Sequence, residues 1–268
     1  MQVGKLTTED IRLFLSLLPL FEKERAEAMA VVKEKRSKIF RGDHVKVTWC
    51  NFYEMPFLEH LGRFVAVFGI GDVVKTINEA TNPMQALVSS IDAFDKELEA
   101  EGEVTAEEIE QARQVMPIIL ALNTSLYNSF RCLLAFGCYL NDLIVQVRGG
   151  DDGALFNAVR IDPTTMGCPT ILTRISQAVL EEDRRFFAKL KAAMAGNLKK
   201  REQANFQKMR LVFQVLHETN AGHLSDDQLH ELFVKELRLY SSDLNTKRGD
   251  ARKNLRKFAN QYMANATT

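Results

Sequence analysis

The sequence of 268 residues has little glycine, little proline and no excess of either charge, and each shortage excludes a class of protein. Fourteen glycines and six prolines are too few for a collagen-like or low-complexity chain. With 46% hydrophobic residues and 35 basic against 35 acidic residues, the chain is neither disordered nor supercharged. A chain of this length buries roughly 70 to 75% of its unfolded surface, so it can fold without a disulfide or a metal.

Cysteine is also scarce, and the four cysteines form no Cys-x-x-Cys pair. They are Cys50, Cys132, Cys138 and Cys168. Three of them lie in apolar surroundings, which is typical of reduced, buried thiols in a cytosolic protein. The apolar run Leu13–Phe21 is flanked by charges on both sides, unlike a signal peptide. Polar residues interrupt the apolar segment Val115–Val147, unlike a membrane span. We therefore expect a cytoplasmic protein without a membrane segment.

Strand-like alternation is rare, whereas apolar residues recur at spacings of three and four through most of the chain. This period predicts an all-α fold, a multi-helix bundle built around a central buried helix. The most apolar segment, Val115–Val147, is the candidate for that central helix. Val45–Trp49 alternates and is the one strand candidate. The sequence Arg148-Gly149-Gly150-Asp151-Asp152 predicts a helix stop followed by a helix start.

The net charge of zero conceals two halves of opposite sign. Residues 199–268 contain 13 basic and 8 acidic side chains, so they carry +5 and the rest of the chain carries −5. Gly196-Asn197 ends a predicted helix between the two halves. We therefore predict an acidic N-terminal helical bundle, residues 1–197, and a small basic C-terminal module of three helices, residues 198–268. The second of these helices begins with a capping box formed by Ser225 and Gln228.

The patterns for metals and cofactors are incomplete. His217, His223 and His230 are separated by six and seven residues, whereas metal-binding histidines on one helix need a spacing of three or four. The glycines of Gly69–Gly71 resemble the start of a dinucleotide loop, but Val74 stands where the third glycine is needed. We expect neither a metal nor a cofactor.

Arg210 and His217 are separated by six residues within one predicted helix. Seven residues are close to two helical turns, so the two side chains share a face. This helix resembles the HEPN ribonuclease family, whose motif is an arginine, four to six residues and a histidine. The resemblance implies a metal-independent ribonuclease working at a dimer groove, with His217 as the acid-base group and Arg210 steadying the phosphate. A solvated arginine and a histidine that complements the helix dipole explain the same residues.

Basic residues concentrate near the C-terminus, where six of them accompany a single acid between residues 247 and 257. They are Lys247, Arg248, Arg252, Lys253, Arg256 and Lys257. Arg252 and Lys253 fall in the first turn of the predicted final helix, where the backbone N–H groups and the helix dipole favour anions. Cations there cost about 0.3 to 1 kcal/mol unless an anion is bound. The pattern therefore predicts an anion site, and phosphate is the natural ligand.

We predict a non-enzymatic binding or regulatory protein whose basic final helix contacts nucleic acid or an acidic protein partner. Two alternatives stay open. One is the HEPN-like ribonuclease that uses Arg210 and His217, and the other is a protein-neutralising adaptor or immunity-type protein. The apolar segment Phe130–Leu143 also leaves a homo-oligomer open, because it suits a dimer seam as well as a core.

Overall fold

The computed structural model describes residues 2–3, 6–40, 50–100, 106–196, 198, 204–219, 223–240 and 251–266. The all-α prediction is confirmed, because this part of the chain consists almost wholly of helices. The exception is a short antiparallel pair at the N-terminus, formed by β1 (Gln2–Val3) and β2 (Leu6–Thr7). The strand candidate at 45–49 lies outside the described residues.

The helices are numbered in chain order. In chain order they are α1 (Thr8–Ser16), α2 (Leu18–Phe40), α3 (Cys50–Tyr53), α4 (Phe57–Val67), α5 (Gly71–Glu79), α6 (Pro83–Ala100), α7 (Ala106–Phe136), α8 (Leu140–Arg148), α9 (Asp152–Ile161), a 3₁₀ helix (Pro163–Gly167), α10 (Pro169–Leu180), α11 (Arg184–Met194), α12 (Ala204–Glu218), α13 (Asp226–His230), a π-helix (Glu231–Glu236) and α14 (Ala251–Ala266).

The chain divides into two compact units. The first unit contains Met1–Leu18 together with Asn128–Thr268, and the second contains Pro19–Tyr127. The boundary predicted between residues 197 and 198 falls inside the first unit, and Asn197 is outside the described residues. As a limit of independent folding, that boundary stays a prediction.

Three of the predicted helix boundaries are confirmed in atomic detail. Helix α8 ends at Arg148, and Gly150 follows in the left-handed conformation with φ of +94°. Asp151 then caps α9 by accepting a hydrogen bond from the backbone N–H of Gly153 at 2.7 Å. Ser225 and Gln228 form the predicted capping box at the start of α13.

The prediction of one continuous helix over Val115–Val147 is wrong. Gly137 adopts a left-handed φ of +81° and its N–H donates to the carbonyl of Leu133 at 2.8 Å, which is a glycine-terminated helix end. The Asp142 carboxylate then accepts from the backbone N–H of Tyr139 at 2.8 Å and starts a new helix. The helix axes of Ile119–Phe136 and Leu140–Arg148 consequently form an angle of 76°.

The C-terminal helices pack with the N-terminal end of the chain rather than by themselves. Side chains from the β1–β2 pair and α1 join those of α12, α13, the π-helix and α14 in one core. Its buried members are Val3, Ile11, Met209, Val212, Phe213, Leu216, Leu229, Leu232, Phe233, Leu255 and Ala259. The described helices from α12 to α14 therefore share their core with residues of the β1–β2 pair and α1.

Candidate anion-binding site on the C-terminal helix

The orientation of α14 follows from its apolar face. Ala251, Leu255 and Ala259 recur at every fourth position and are buried. Phe258 packs beside them, with its ring centre 5.7 Å from that of Phe213. The basic residues lie between these positions; Arg252, Lys253 and Lys257 are exposed, whereas Arg256 is half-buried. The core thus fixes which side of α14 carries the exposed charge.

Arg252 forms an ion pair within the chain. Its Nε donates to a carboxylate oxygen of Asp227 at 2.7 Å. Asp227 lies in the first turn of α13, where the helix dipole stabilises a carboxylate. The prediction placed a bound anion near Arg252, and a carboxylate of the same protein provides a negative charge there.

Arg256 has three contacts with the segment that leads into α13. Its Nε donates to Asp226 at 2.6 Å, and a second guanidinium nitrogen donates to the backbone carbonyl of Leu224. A third contact joins Arg256 to Nε2 of His223 at 3.2 Å. Because arginine can only donate, His223 accepts through an unprotonated Nε2. Arg256 thus fastens α14 to the start of α13.

Lys253 and Lys257 differ from the arginines. Both side chains are exposed, and neither forms an ion pair with another residue that the structure describes. They are four positions apart on α14, so they project from the same side about one turn apart. Lys247 and Arg248 lie outside the described residues. The described part of the site is therefore a lysine pair beside two arginines that already hold carboxylates.

Sequence reasoning did not identify Asp226 and Asp227 as partners of the final helix. A signal existed, since two acids directly follow the predicted N-cap Ser225. That signal locates the acids at a helix start, but it does not reveal which residues, some 25 to 30 positions later, lie across from them.

The other candidate pair, Arg210 and His217, is placed on α12 as expected. Arg210 donates to the backbone carbonyl of Leu134 at 2.9 Å, and its guanidinium carbon lies 6.0 Å from the ring centre of Phe258. His217 is half-buried in the last turn of the helix. Arg210 therefore links α12 to α7 and α14, and a catalytic role for the pair stays a prediction.

A buried serine and histidine in the second unit superficially resemble a catalytic pair. Nε2 of His60 lies 2.9 Å from Oγ of Ser125 and 3.0 Å from the carbonyl oxygen of Leu122. Because a carbonyl only accepts, Nε2 carries the hydrogen and cannot act as a base toward the serine. Burial lowers the pKa of His60, whose ring also stacks on Phe52 with ring centres 5.7 Å apart. This arrangement is structural.

Polar side chains near the start of α8 form hydrogen bonds with one another, whereas Oδ1 of Asn141 is buried without a partner among the described residues. Gln214 donates to Glu218 at 2.6 Å and contacts the hydroxyl of Tyr139 at 3.4 Å. Burial raises the pKa of the Tyr139 hydroxyl and that of the Asp142 carboxyl. Asp142 accepts hydrogen bonds from the Tyr139 backbone and the Asn141 side chain, so its position follows from its capping role.

Two further features concern metals and membranes. The described residues contain no group of three or more His, Cys, Asp or Glu side chains arranged to hold a metal. Among the same residues, no single helix is long and apolar enough to cross a membrane. The bent pair Ile119–Phe136 and Leu140–Arg148 meets those limits together.

Comparisons with protein-family models, with curated proteins and with solved structures find no match to this chain. The site on α14 is therefore interpreted from its own geometry.

Proposed function

We propose that the protein is a non-enzymatic binding protein whose helix α14 contacts an acidic protein partner through Lys253 and Lys257. The observation that supports this proposal is the contrast between the lysines and the arginines on α14. Arg252 and Arg256 are paired with Asp227 and Asp226, whereas the two lysines are exposed and have no ion-pair partner among the described residues.

The spacing of the lysines suits carboxylates on a partner helix. Side chains four positions apart on a helix are neighbours, so acids at three- or four-residue spacing on a partner helix can face both lysines. Arg252 and Arg256, each one position before a lysine, already pair with the carboxylates of Asp227 and Asp226, and this supports carboxylates as the partner chemistry. An acidic helix or loop is therefore the partner chemistry that we favour.

Nucleic acid is the weaker candidate. Two lysines neutralise about two phosphates, so the logarithm of the affinity would fall with the logarithm of the salt concentration with a slope of only about −2. Proteins that rely on phosphate contacts commonly make about six to ten. The arginines could add contacts only by giving up their bonds to Asp226 and Asp227. We therefore treat nucleic acid as an outcome of the test rather than as the proposal.

The non-enzymatic part of the proposal is supported by how the buried polar groups are used. His60, Tyr139 and Asp142 have pKa values displaced by burial, a property that often marks catalytic residues. Each of them instead forms hydrogen bonds that hold a helix end or a helix pair in place.

The test measures which proteins and nucleic acids are retained by the immobilised protein at low and at high salt. The eluted material is analysed by mass spectrometry and by its 260/280 nm absorbance ratio. The double variant Lys253→Gln, Lys257→Gln removes the lysine pair but leaves both arginine ion pairs intact. The matched control is Lys75→Gln, Lys191→Gln, which removes the same charge from exposed positions on α5 and α11.

We expect one protein to be retained at low salt by the wild type and by the control, and to be lost from the α14 variant. If the wild type and the control retain nucleic acid and the α14 variant does not, the nucleic-acid alternative replaces the acidic protein partner. Equal retention by all three proteins would refute a role for the lysine pair.

A further inference from the structure

Two thiols meet at the end of α7. Cys132 lies in the helix and is fully buried, whereas Cys138 follows the helix and is half-buried. Both are free cysteines, and their side chains are in hydrogen-bonding contact. Their spacing of six residues matches no familiar cysteine motif, so the sequence alone gave no reason to pair them.

The helix end explains why these two side chains meet. Gly137 terminates α7 in the left-handed conformation, which turns the following residue back toward the last turns of the helix. At such a helix end, the residue after the glycine commonly contacts a residue four or five positions before the glycine. Here that contact joins Cys138 to Cys132, so the backbone itself brings the two sulfurs together.

We propose that Cys132 and Cys138 are a modification site at which a reversible disulfide forms when the protein meets a low-molecular-weight disulfide such as glutathione disulfide. The cross-link would close the turn around Gly137 and fix the angle between α7 and α8. The pair is then a redox-sensitive element at the bend between α7 and α8.

The reaction balances in two exchange steps. The Cys138 thiol loses its proton and attacks one sulfur of glutathione disulfide, which breaks that S–S bond and releases one glutathione thiolate. The Cys132 thiol then loses its proton and attacks the Cys138 sulfur, so that the protein disulfide forms and the second glutathione leaves. The protein loses two hydrogens and two electrons, and glutathione disulfide becomes two molecules of glutathione.

The order of the steps follows from exposure. Cys138 is half-buried whereas Cys132 is buried, so Cys138 is the residue that meets the small disulfide first. Burial raises the pKa of the Cys132 thiol, with the neighbouring Cys138 adding to the effect. Because thiolate is the attacking form, the second step should accelerate as the pH rises.

One tryptic peptide reports the outcome. Cleavage after Arg131 and Arg148 releases residues 132–148, which contain both cysteines, and Cys168 falls in a different peptide. The full chain is incubated with glutathione disulfide, the remaining thiols are alkylated, and the digest is analysed by mass spectrometry. We expect peptide 132–148 to be two hydrogens lighter than the dithiol, to carry no alkyl group, and to recover both alkylation sites after reduction.

Two variants separate the proposed pair from general thiol oxidation. Cys168→Ser should still form the internal disulfide, whereas Cys132→Ala should stop at a Cys138–glutathione mixed disulfide. The wild-type peptide decides the matter even if Cys132→Ala does not fold. A doubly alkylated peptide, a lasting mixed disulfide in the wild type, or a link to another cysteine would each overturn the proposal.

Discussion

The ion pair between Asp226 and Arg256 should stabilise the first unit by a measurable amount, and a double-mutant cycle isolates its contribution. The variants are Asp226→Asn, Arg256→Gln and the combination of both. The Arg256 side chain is 22% exposed and the Asp226 side chain 51% exposed, so the pair is partly shielded from water. Pairs at protein surfaces contribute about 0.2 to 1 kcal/mol, and we expect a coupling free energy near the upper end, about 0.5 to 1 kcal/mol.

The single variants should differ from each other. Arg256→Gln also removes the bond to the carbonyl of Leu224, and hydrogen bonds that involve a charged group contribute about 1.5 to 3 kcal/mol. Asp226→Asn keeps an oxygen that can still accept from the guanidinium. We therefore expect Arg256→Gln to lower the free energy of unfolding by about 1.5 to 3 kcal/mol and Asp226→Asn by less than about 1 kcal/mol.

The neighbouring pair of Arg252 and Asp227 provides an internal comparison. Its side chains are 47% and 83% exposed, so water and salt screen it more strongly. The same cycle on this pair should give a coupling of about 0 to 0.5 kcal/mol. Both couplings should shrink when the ionic strength rises to about 1 M, where the screening length is about 3 Å.

Urea denaturation followed by far-ultraviolet circular dichroism measures the required free energies, since changes in the midpoint at a constant slope report stability. A coupling of zero for Asp226 and Arg256 would refute the view that this pair fastens α14 to α13. A larger coupling for Arg252 and Asp227 than for Asp226 and Arg256 would refute the argument from burial.

Two further predictions concern the cores of the two units. Leu255→Ala removes a fully buried side chain of α14 and should lower the free energy of unfolding by about 2 to 5 kcal/mol in urea denaturation, whereas Lys253→Ala should change it little. The pKa of His60 is lower in the folded than in the unfolded protein, so its neutral ring stabilises the fold above about pH 6.5. This contribution should be lost as the pH falls below about 6.5 through the lowered folded value, and His60→Gln should remove that part of the pH dependence. A free energy of unfolding of the wild type that rises as the pH falls below about 6.5 would contradict the assignment.

The helix boundaries that sequence analysis predicted correctly are those marked by local chemistry. The stop at Gly149-Gly150 and the start at Ser225 depend on residues within a few positions of one another. The break at Gly137 was missed because a single glycine lies inside a long apolar run, which conceals the change in backbone direction. The β1–β2 pair was missed because two-residue strands are too short to show a period.

The candidate site was predictable only in part, for the same reason. The helical period places Lys253 and Lys257 on the side of α14 away from the buried Leu255, and both lysines are exposed. The pairing of Arg252 and Arg256 with aspartates depends on how two distant segments pack, which no local pattern encodes. Of the six basic residues, Arg252 and Arg256 form ion pairs and Lys253 and Lys257 are exposed. Lys247 and Arg248 lie outside the described residues.

The proposed function depends on Lys253 and Lys257 as the groups that contact a partner. The deciding measurement is the amount of protein retained at low salt by the Lys253→Gln, Lys257→Gln variant, relative to the Lys75→Gln, Lys191→Gln control. We expect the control to retain one salt-sensitive protein partner and the Lys253→Gln, Lys257→Gln variant to lose it. Equal retention by both variants would contradict it.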